Sequence, residues 1–266
     1  MVIDSHVHIF TDAIAEKAIT RLAGICHMPY YTNGTLSDTR EKMKQWGVDA
    51  ILALNIATKP KQQKTINEWA SSVQDHKSVF CLGTIHPDAP DAAAELERFA
   101  SLKLCGLKLH PDYQGFQIDE ERLFPVYDAA SQLGIPIVFH TGWDPLSPDF
   151  VHAPPALVAK VAKLFPKLTI VAAHLGGMKR YEESEEYLTD LDNVYLDTAM
   201  CAQFCPLEQF KRIVSKKGAE HILFGSDCPW SSSALELEYL EKASLPSRDL
   251  DLIHSQNAVR IFKLSL

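Results

Sequence analysis

IPIVFHTG, residues 135–142, decides how this chain is read. Five apolar residues run from Ile135 to Phe139 without a break, and the run stops on a polar residue, His140. An unbroken apolar run of this length, without alternation, describes a strand covered on both faces, which is the habit of parallel sheets. The flanks agree. Upstream, EERLFPVYDAASQLG (120–134) has helical spacing, with Asp119 placed as N-cap, Pro125 in an early turn and Gly134 as the left-handed terminator. Downstream, PPALVAKVAKLFP (154–166) is a second amphipathic segment with a proline stop. Beyond these two segments lie two more apolar runs, LCGLKLHP (104–111) and LTIVAAHLGG (168–177). Strand, helix, strand, helix, strand is the grammar of consecutive βαβ units.

The pattern continues in both directions. VIDSHVHIF (2–10), DAILALNIA (49–57) and SVFCLGTIHP (78–87) precede the central block, and VYLDTAM (194–200) and HILFGSDCPW (221–230) follow it. Eight strands with room for a helix between each pair, in 266 residues, fit one (β/α)8 TIM barrel spanning residues 1–266. A doubly wound sheet would carry a glycine-rich loop after its first strand. TDAIAEKA (11–18) stands there instead. The long interval from Phe10 to Gly47 leaves the carboxyl ends of the strands, so it reads as part of a lid or as a plain surface excursion.

Composition removes several classes of function. With 34 acidic against 26 basic residues and a net charge of −8, the chain has no basic stripe for a nucleic acid. No apolar stretch approaches the ~18 residues of a membrane span, and no leader pattern precedes the first strand, so a cytoplasmic location is expected. Six cysteines occur without a CxxC pair and read as reduced thiols. Cys201 and Cys205 lack the second pair that a zinc knuckle needs.

Six of the eleven histidines (His6, His8, His86, His110, His140 and His174) fall within or just after a strand's carboxyl end. In a parallel barrel those ends share one rim, where catalytic groups from different strands meet. His221 precedes its strand and so belongs to the opposite rim, as a structural residue. His6 and His8 are two apart, so an extended strand projects both to one side. Taken alone, such a pair fits either satisfied core histidines or two metal ligands. Asp227 argues for the ligands, because a carboxylate in an apolar strand end is costly unless it is paired or metal-bound.

Taken in order, HVH (6–8), GLKLHP (106–111), FHTG (139–142), AHLGG (173–177), FGSD (224–227) and the closing QNAVRIF (256–262) resemble the amidohydrolase superfamily. Within it they are most similar to the amidohydrolase-related branch that includes the aminocarboxymuconate-semialdehyde decarboxylase type. The resemblance covers essentially the whole chain. It implies that His6, His8, His140 and Asp227 hold one divalent metal, zinc first and manganese second. His174 is then the acid/base or substrate-orienting residue, and Asp227 also accepts a proton from the attacking water. Lys108 becomes carboxylated in some branches and bridges a second metal. Otherwise it stays an ammonium, either facing a substrate carboxylate or oxyanion or held in a structural ion pair. A TatD-type nuclease would place an acidic ligand near this position, and GLKLHP has none.

Other rim residues are weaker candidates. Asp197 reads as a helix cap, with the orientation of a ligand histidine as its alternative. His110, Trp143 and Arg180 are expected to contact substrate, with His86, Tyr113 and Trp230 as further lining. The resulting expectation is a metal-dependent hydrolase of a small-molecule ester, lactone or amide. A non-oxidative decarboxylase of an unsaturated or aromatic carboxylate is the rival, and a non-catalytic barrel is third. The partner is a small molecule, a carboxylate included, and a homo-oligomer is compatible with the sequence.

Overall fold

The computed structural model describes residues 1–266. Eight parallel strands follow one another in chain order: β1 (Ile3–Val7), β2 (Ala50–Leu54), β3 (Val79–Thr84), β4 (Leu107–Leu109), β5 (Ile137–Phe139), β6 (Ile170–Ala172), β7 (Val194–Asp197) and β8 (Ile222–Leu223). Each lies inside one of the eight apolar runs. The register is regular through the centre of the sheet, with Ile137 opposite Leu107 on one side and Ile170 on the other. Closure comes from backbone bonds just past the strand ends. Ser5 N–H donates to Phe224 O at 2.9 Å, Asp227 N–H to His6 O at 2.8 Å and His8 N–H to Cys228 O at 2.7 Å. The barrel is therefore sealed by the same residues that carry the rim chemistry of β1 and β8.

The alternation of the strands divides their side chains between two cores, and a register shift in β1 between Asp4 and Val7 puts Ile3 and Val7 in different ones. Val7, Ile51, Ala53, Ile137, Phe139, Ile170 and Ala172 pack outward beneath the helices. Ile3, Leu52, Val138, Val171 and Leu223 fill the barrel interior, which also receives Ala258, Ile261 and Phe262 from the last helix, Asn257–Phe262. Leu107 and Leu109 belong to the outer core, so Lys108 between them is turned inward, with no solvent exposure.

Three helices bear on the site. α1 (Asp12–Cys26) lies in the long excursion after β1. It buries Ile19 against Met178, Met200 and Trp230, which places it across the mouth of the barrel. α2 (Phe124–Leu133) has Pro125 in its first turn, and Gly134 closes it in the left-handed region at φ 63°. Its start differs from the sequence reading. A 3-10 turn at Glu121–Leu123 precedes it, so Asp119 is too far upstream to cap and instead accepts a bond from Lys160 Nζ at 2.6 Å. α3 (Pro155–Leu164) follows β5. Between β5 and α3, Gly142 passes so close to the chain after β6 that a Cβ there would sit 2.1 Å from Met178 N. No helix is long and apolar enough to cross a membrane.

Candidate metal centre and active-site cavity

A cavity of about 540 Å³ opens at the carboxyl ends of the strands. Its floor includes His6, His8, Lys108, His110, His140 and Asp227. Trp143, Trp230, Tyr113 and Met178 form apolar walls, and α1 contributes Ile14, Lys17 and Arg21 from above.

The hydrogen positions on β1 follow from fixed neighbours. His8 Nδ1 lies 3.0 Å from Leu54 O, and a carbonyl only accepts, so Nδ1 carries the hydrogen and Nε2 is a bare lone pair in the neutral ring. His6 Nδ1 lies 2.8 Å from Asp197 Oδ2, which fixes the same tautomer. Burial, reinforced by the charge of Lys108, lowers the His6 pKa to about 4, so its ring is neutral. Both free lone pairs turn to one carboxylate oxygen. Asp227 Oδ1 is 3.3 Å from His6 Nε2 and 3.1 Å from His8 Nε2. Three acceptors thus face one another at separations that suit ligands ~2.0–2.2 Å from a common ion, whose tetrahedral neighbours lie ~3.3–3.6 Å apart. Two neutral imidazoles and a carboxylate are also a chemically fitting donor set for zinc or manganese. Asp227 is held there in the left-handed region at φ 67°, a strained setting for a residue with a side chain.

Asp197, at the end of β7, does not cap the following helix. One oxygen holds His6, and the other accepts the backbone N–H of His174 at 2.8 Å and of Ala199 at 3.1 Å. This is the alternative role for an acidic residue at a strand end. It goes with a left-handed turn at His174 and Leu175, φ 56° and 55°, where His174 N–H meets the carboxylate and Leu175 N–H donates to the Asp197 carbonyl at 2.7 Å.

His140 is not gathered with His6, His8 and Asp227. Its Nδ1 lies 3.0 Å from His174 Nε2, and its Nε2 points to a separate group with His110 and Asp144. His174 backs His140 and His6 and does not line the cavity. Lys108 Nζ lies 3.4 Å from His6 Nε2, and desolvation brings its pKa down to about 8. His110 and Trp143 line the cavity as expected, as do Tyr113 and Trp230. Arg180 does not. It is paired with Glu183 in a neighbouring surface cleft, a local partner three residues away that the sequence reading did not weigh. His86 accepts a turn bond from Asp88 N–H at 3.2 Å and stays outside the cavity, while His221 lies tilted against Tyr195, ring centroids 5.0 Å apart, at the far rim.

Asp112 and Asp144 were not anticipated. Both follow the HP and HTG turns after β4 and β5, where an acidic residue reads as ordinary turn polarity. Their burial is what marks them: the Asp112 side chain has no exposure and that of Asp144 only 6%. Desolvation, with Asp112 close by, lifts the Asp144 pKa to about 7.

An amidohydrolase family model matches residues 3–264. No curated protein matches the chain. Among solved structures, an uncharacterized TIM-barrel protein from Bordetella bronchiseptica aligns with TM-score 0.82 at 18% identity, over 99% of this chain and 98% of the other. The 5-carboxyvanillate decarboxylase of Sphingomonas paucimobilis aligns with TM-score 0.76 at 17% identity, over 99% of both chains. A dihydroxybenzoic acid decarboxylase from Polaromonas sp. JS666, with bound manganese and 2-nitroresorcinol, aligns with TM-score 0.71 at 16% identity, over 99% of this chain and 97% of the other. At these identities the likeness is one of fold.

Proposed function

The chain belongs to the amidohydrolase family, and from that premise we propose that it is a metal-dependent hydrolase of a small-molecule ester, lactone or amide. The observation that carries the reading is the convergence of His6 Nε2, His8 Nε2 and Asp227 Oδ1 on the cavity floor, with Lys108 Nζ 3.4 Å from His6 Nε2 beside them. These residues hold one divalent ion, zinc or manganese, and His140 is the fourth ligand that the family resemblance suggests. Such an ion supplies Lewis acidity, polarising a carbonyl and making water a stronger acid.

The chain's own groups do the rest. Asp197 locks the His6 tautomer and so keeps Nε2 available. Asp227 lies where it can take the proton of an attacking water. Lys108, an unmodified amine in this reading, faces the oxyanion or a substrate carboxylate from the floor. His174 acts as a positioning residue through His140. Trp143 and Trp230 give the substrate an apolar bed and limit water.

A second reading, non-oxidative decarboxylation, uses the same floor. Lys108 favours it, because a buried cation beside the ligand histidines suits a substrate that carries a carboxylate. The two readings separate on a panel of lactones, esters and aromatic acids assayed with the metal-loaded protein. Acid release from a lactone, ester or amide supports hydrolysis. Release of CO2 without such activity replaces it with decarboxylation. Turnover that survives removal of the ion overturns both.

A further inference from the structure

The cavity extends well beyond its floor. The ionisable groups of the floor come from the ends of β1, β4, β5 and β8, whereas much of the remaining wall is supplied by two helices. α1 presents Ile14, Ala18, Leu22 and Ile25, a spacing that lies along one face of a helix. The helix Gln63–Val73 and the turn before it present Gln62, Ile66 and Trp69, again one face. Ile56, just past β2, joins them. Ala15 and Ile19, on the adjoining face of α1, are buried and hold that helix to the barrel, which leaves the first stripe turned to the cavity.

This wall is aliphatic and belongs to no core. Ile14, Ile25, Ile56 and Ile66 pack on none of the buried clusters, although all four line the cavity. A concave apolar surface of that kind is stabilised when the apolar atoms of a ligand cover it. The polar groups nearby are already engaged: Asn55 Nδ2 donates to Leu82 O at 2.9 Å, and Thr58 Oγ1 donates to Gln62 Oε1 at 3.2 Å. Lys17 and Arg21 stand beside the stripe of α1, both exposed, and their long stems let the charges reach water. The aromatic rings Tyr113, Trp143 and Trp230 follow β4, β5 and β8, over the floor. On the α1 side the lining is aliphatic, with Trp69 the one ring of the second helix.

We infer that the part of the cavity lined by α1 and the helix Gln63–Val73 is a binding arm for an unbranched aliphatic chain of the substrate. The inference rests on the hydrolase reading above and narrows it: the ester, lactone or amide carries an acyl or alkyl chain, and its carbonyl reaches the floor. A cavity of about 540 Å³ has the size that takes a drug-sized ligand, which is room for a reacting group and a chain together. The arm offers the chain no hydrogen bond and needs none. Selectivity there is a matter of length, because each methylene taken out of water raises affinity roughly fourfold.

Binding is measured first, so that the outcome does not depend on turnover. Butyrate, hexanoate, octanoate and decanoate are titrated calorimetrically into the zinc-loaded protein, the carboxylate standing in for the reacting end at the floor. Octanoate is expected to bind on the order of 10²-fold tighter than butyrate, from the methylenes that enter the arm. Ile25→Trp and Ile66→Trp put bulk into the arm and each cut that ratio about 15-fold, the loss of two methylenes. Ile66→Ser adds no bulk and lowers the ratio by a smaller factor, so it decides the matter if a Trp variant fails to fold. Thermal melts and metal content check the fold of all three. A ratio near one in the wild type overturns the inference. So does a ratio that none of the variants alters, because the chain then lies elsewhere. Tighter binding of 4-phenylbutyrate than of decanoate, its equal in carbon number, replaces the chain with a ring and also overturns it. The hydrolase reading is judged separately, on acyl esters of the same chain lengths. Length-dependent binding without hydrolysis of any ester, lactone or amide retires that reading and keeps the arm. Hydrolysis with kcat/KM and binding both flat in chain length keeps the reading and retires the arm.

Discussion

Asp197→Asn replaces one atom and isolates the tautomer argument. The carboxylate accepts three hydrogens: His6 Nδ1–H on one oxygen, and the backbone N–H groups of His174 and Ala199 on the other. An asparagine has one acceptor oxygen. If it serves the two backbone donors, its NH2 meets His6 Nδ1–H, and the ring is driven to carry its hydrogen on Nε2, where the ligand lone pair is needed. If it turns over, two buried backbone donors lose their partner, at ~1–3 kcal/mol for each unsatisfied group. The first arrangement costs less stability and so prevails. Removing an outer partner of a ligand histidine weakens metal binding by roughly 10–100-fold, or ~1.4–2.7 kcal/mol. The assay is a chelator competition for Mn2+ or Zn2+ on wild type and variant, beside melts of the metal-free proteins. The expected pattern is weaker metal binding with a small change in the apo melt. Unchanged metal affinity with a large loss of apo stability would refute the reasoning and return Asp197 to a purely structural role.

Four further outcomes are expected. Asp227→Asn should lose turnover by ~10²–10³-fold, on the scale of removing a directly acting group, whereas His221→Ala at the opposite rim should stay near wild type; the reverse ordering in a kcat/KM comparison would misplace the rim. Chelation should abolish activity, and added zinc or manganese should restore it, whereas recovery with Mg2+ alone would argue against an imidazole-rich centre. Gly142→Ala should destabilise the fold by more than the ~1–3 kcal/mol typical of a left-handed non-glycine residue, because its φ is 89° and the new Cβ meets Met178 N at 2.1 Å; an unchanged denaturant midpoint would disprove the close approach. Burial lowers the Lys217 pKa to about 8, below its usual 10.5, although Nζ donates to Leu188 O at 3.0 Å. The unfolded chain then binds more protons between those values, so stability rises with pH across that window. Lys217→Met should flatten the rise in chemical denaturation, and an identical slope in both proteins would refute it.

What the sequence disclosed and what it hid divide along a physical line. Strands buried on both faces write themselves as apolar runs, so β5 and its neighbours were legible, and with them the rim to which His6, His8 and Asp227 belong. Roles that depend on how two rims of chain meet were not. Asp197 reads the same whether it caps a helix or holds a histidine 191 residues away, and only the folded rim, with its left-handed turn at His174 and Leu175, tells them apart. Asp112 and Asp144 look like turn residues because their burial arises from the stacking of two loops that are distant in sequence. Arg180 offered a charge near a rim motif, but a glutamate one helical turn away claimed it.

The lid is fastened at points that matter. α1 starts four residues after His8, and the chain beyond it is pinned by Tyr31 N–H to Pro229 O at 2.9 Å, two residues past Asp227. Both ends of the cover are thus moored to the strands that supply the metal centre. A segment tied in this way behaves as a bridge rather than a door, with Lys17 and Arg21 facing the cavity from mid-span. Substitutions along that span can change what enters and leave the chemistry below untouched, so the excursion after the first strand is where a new substrate preference is most cheaply acquired.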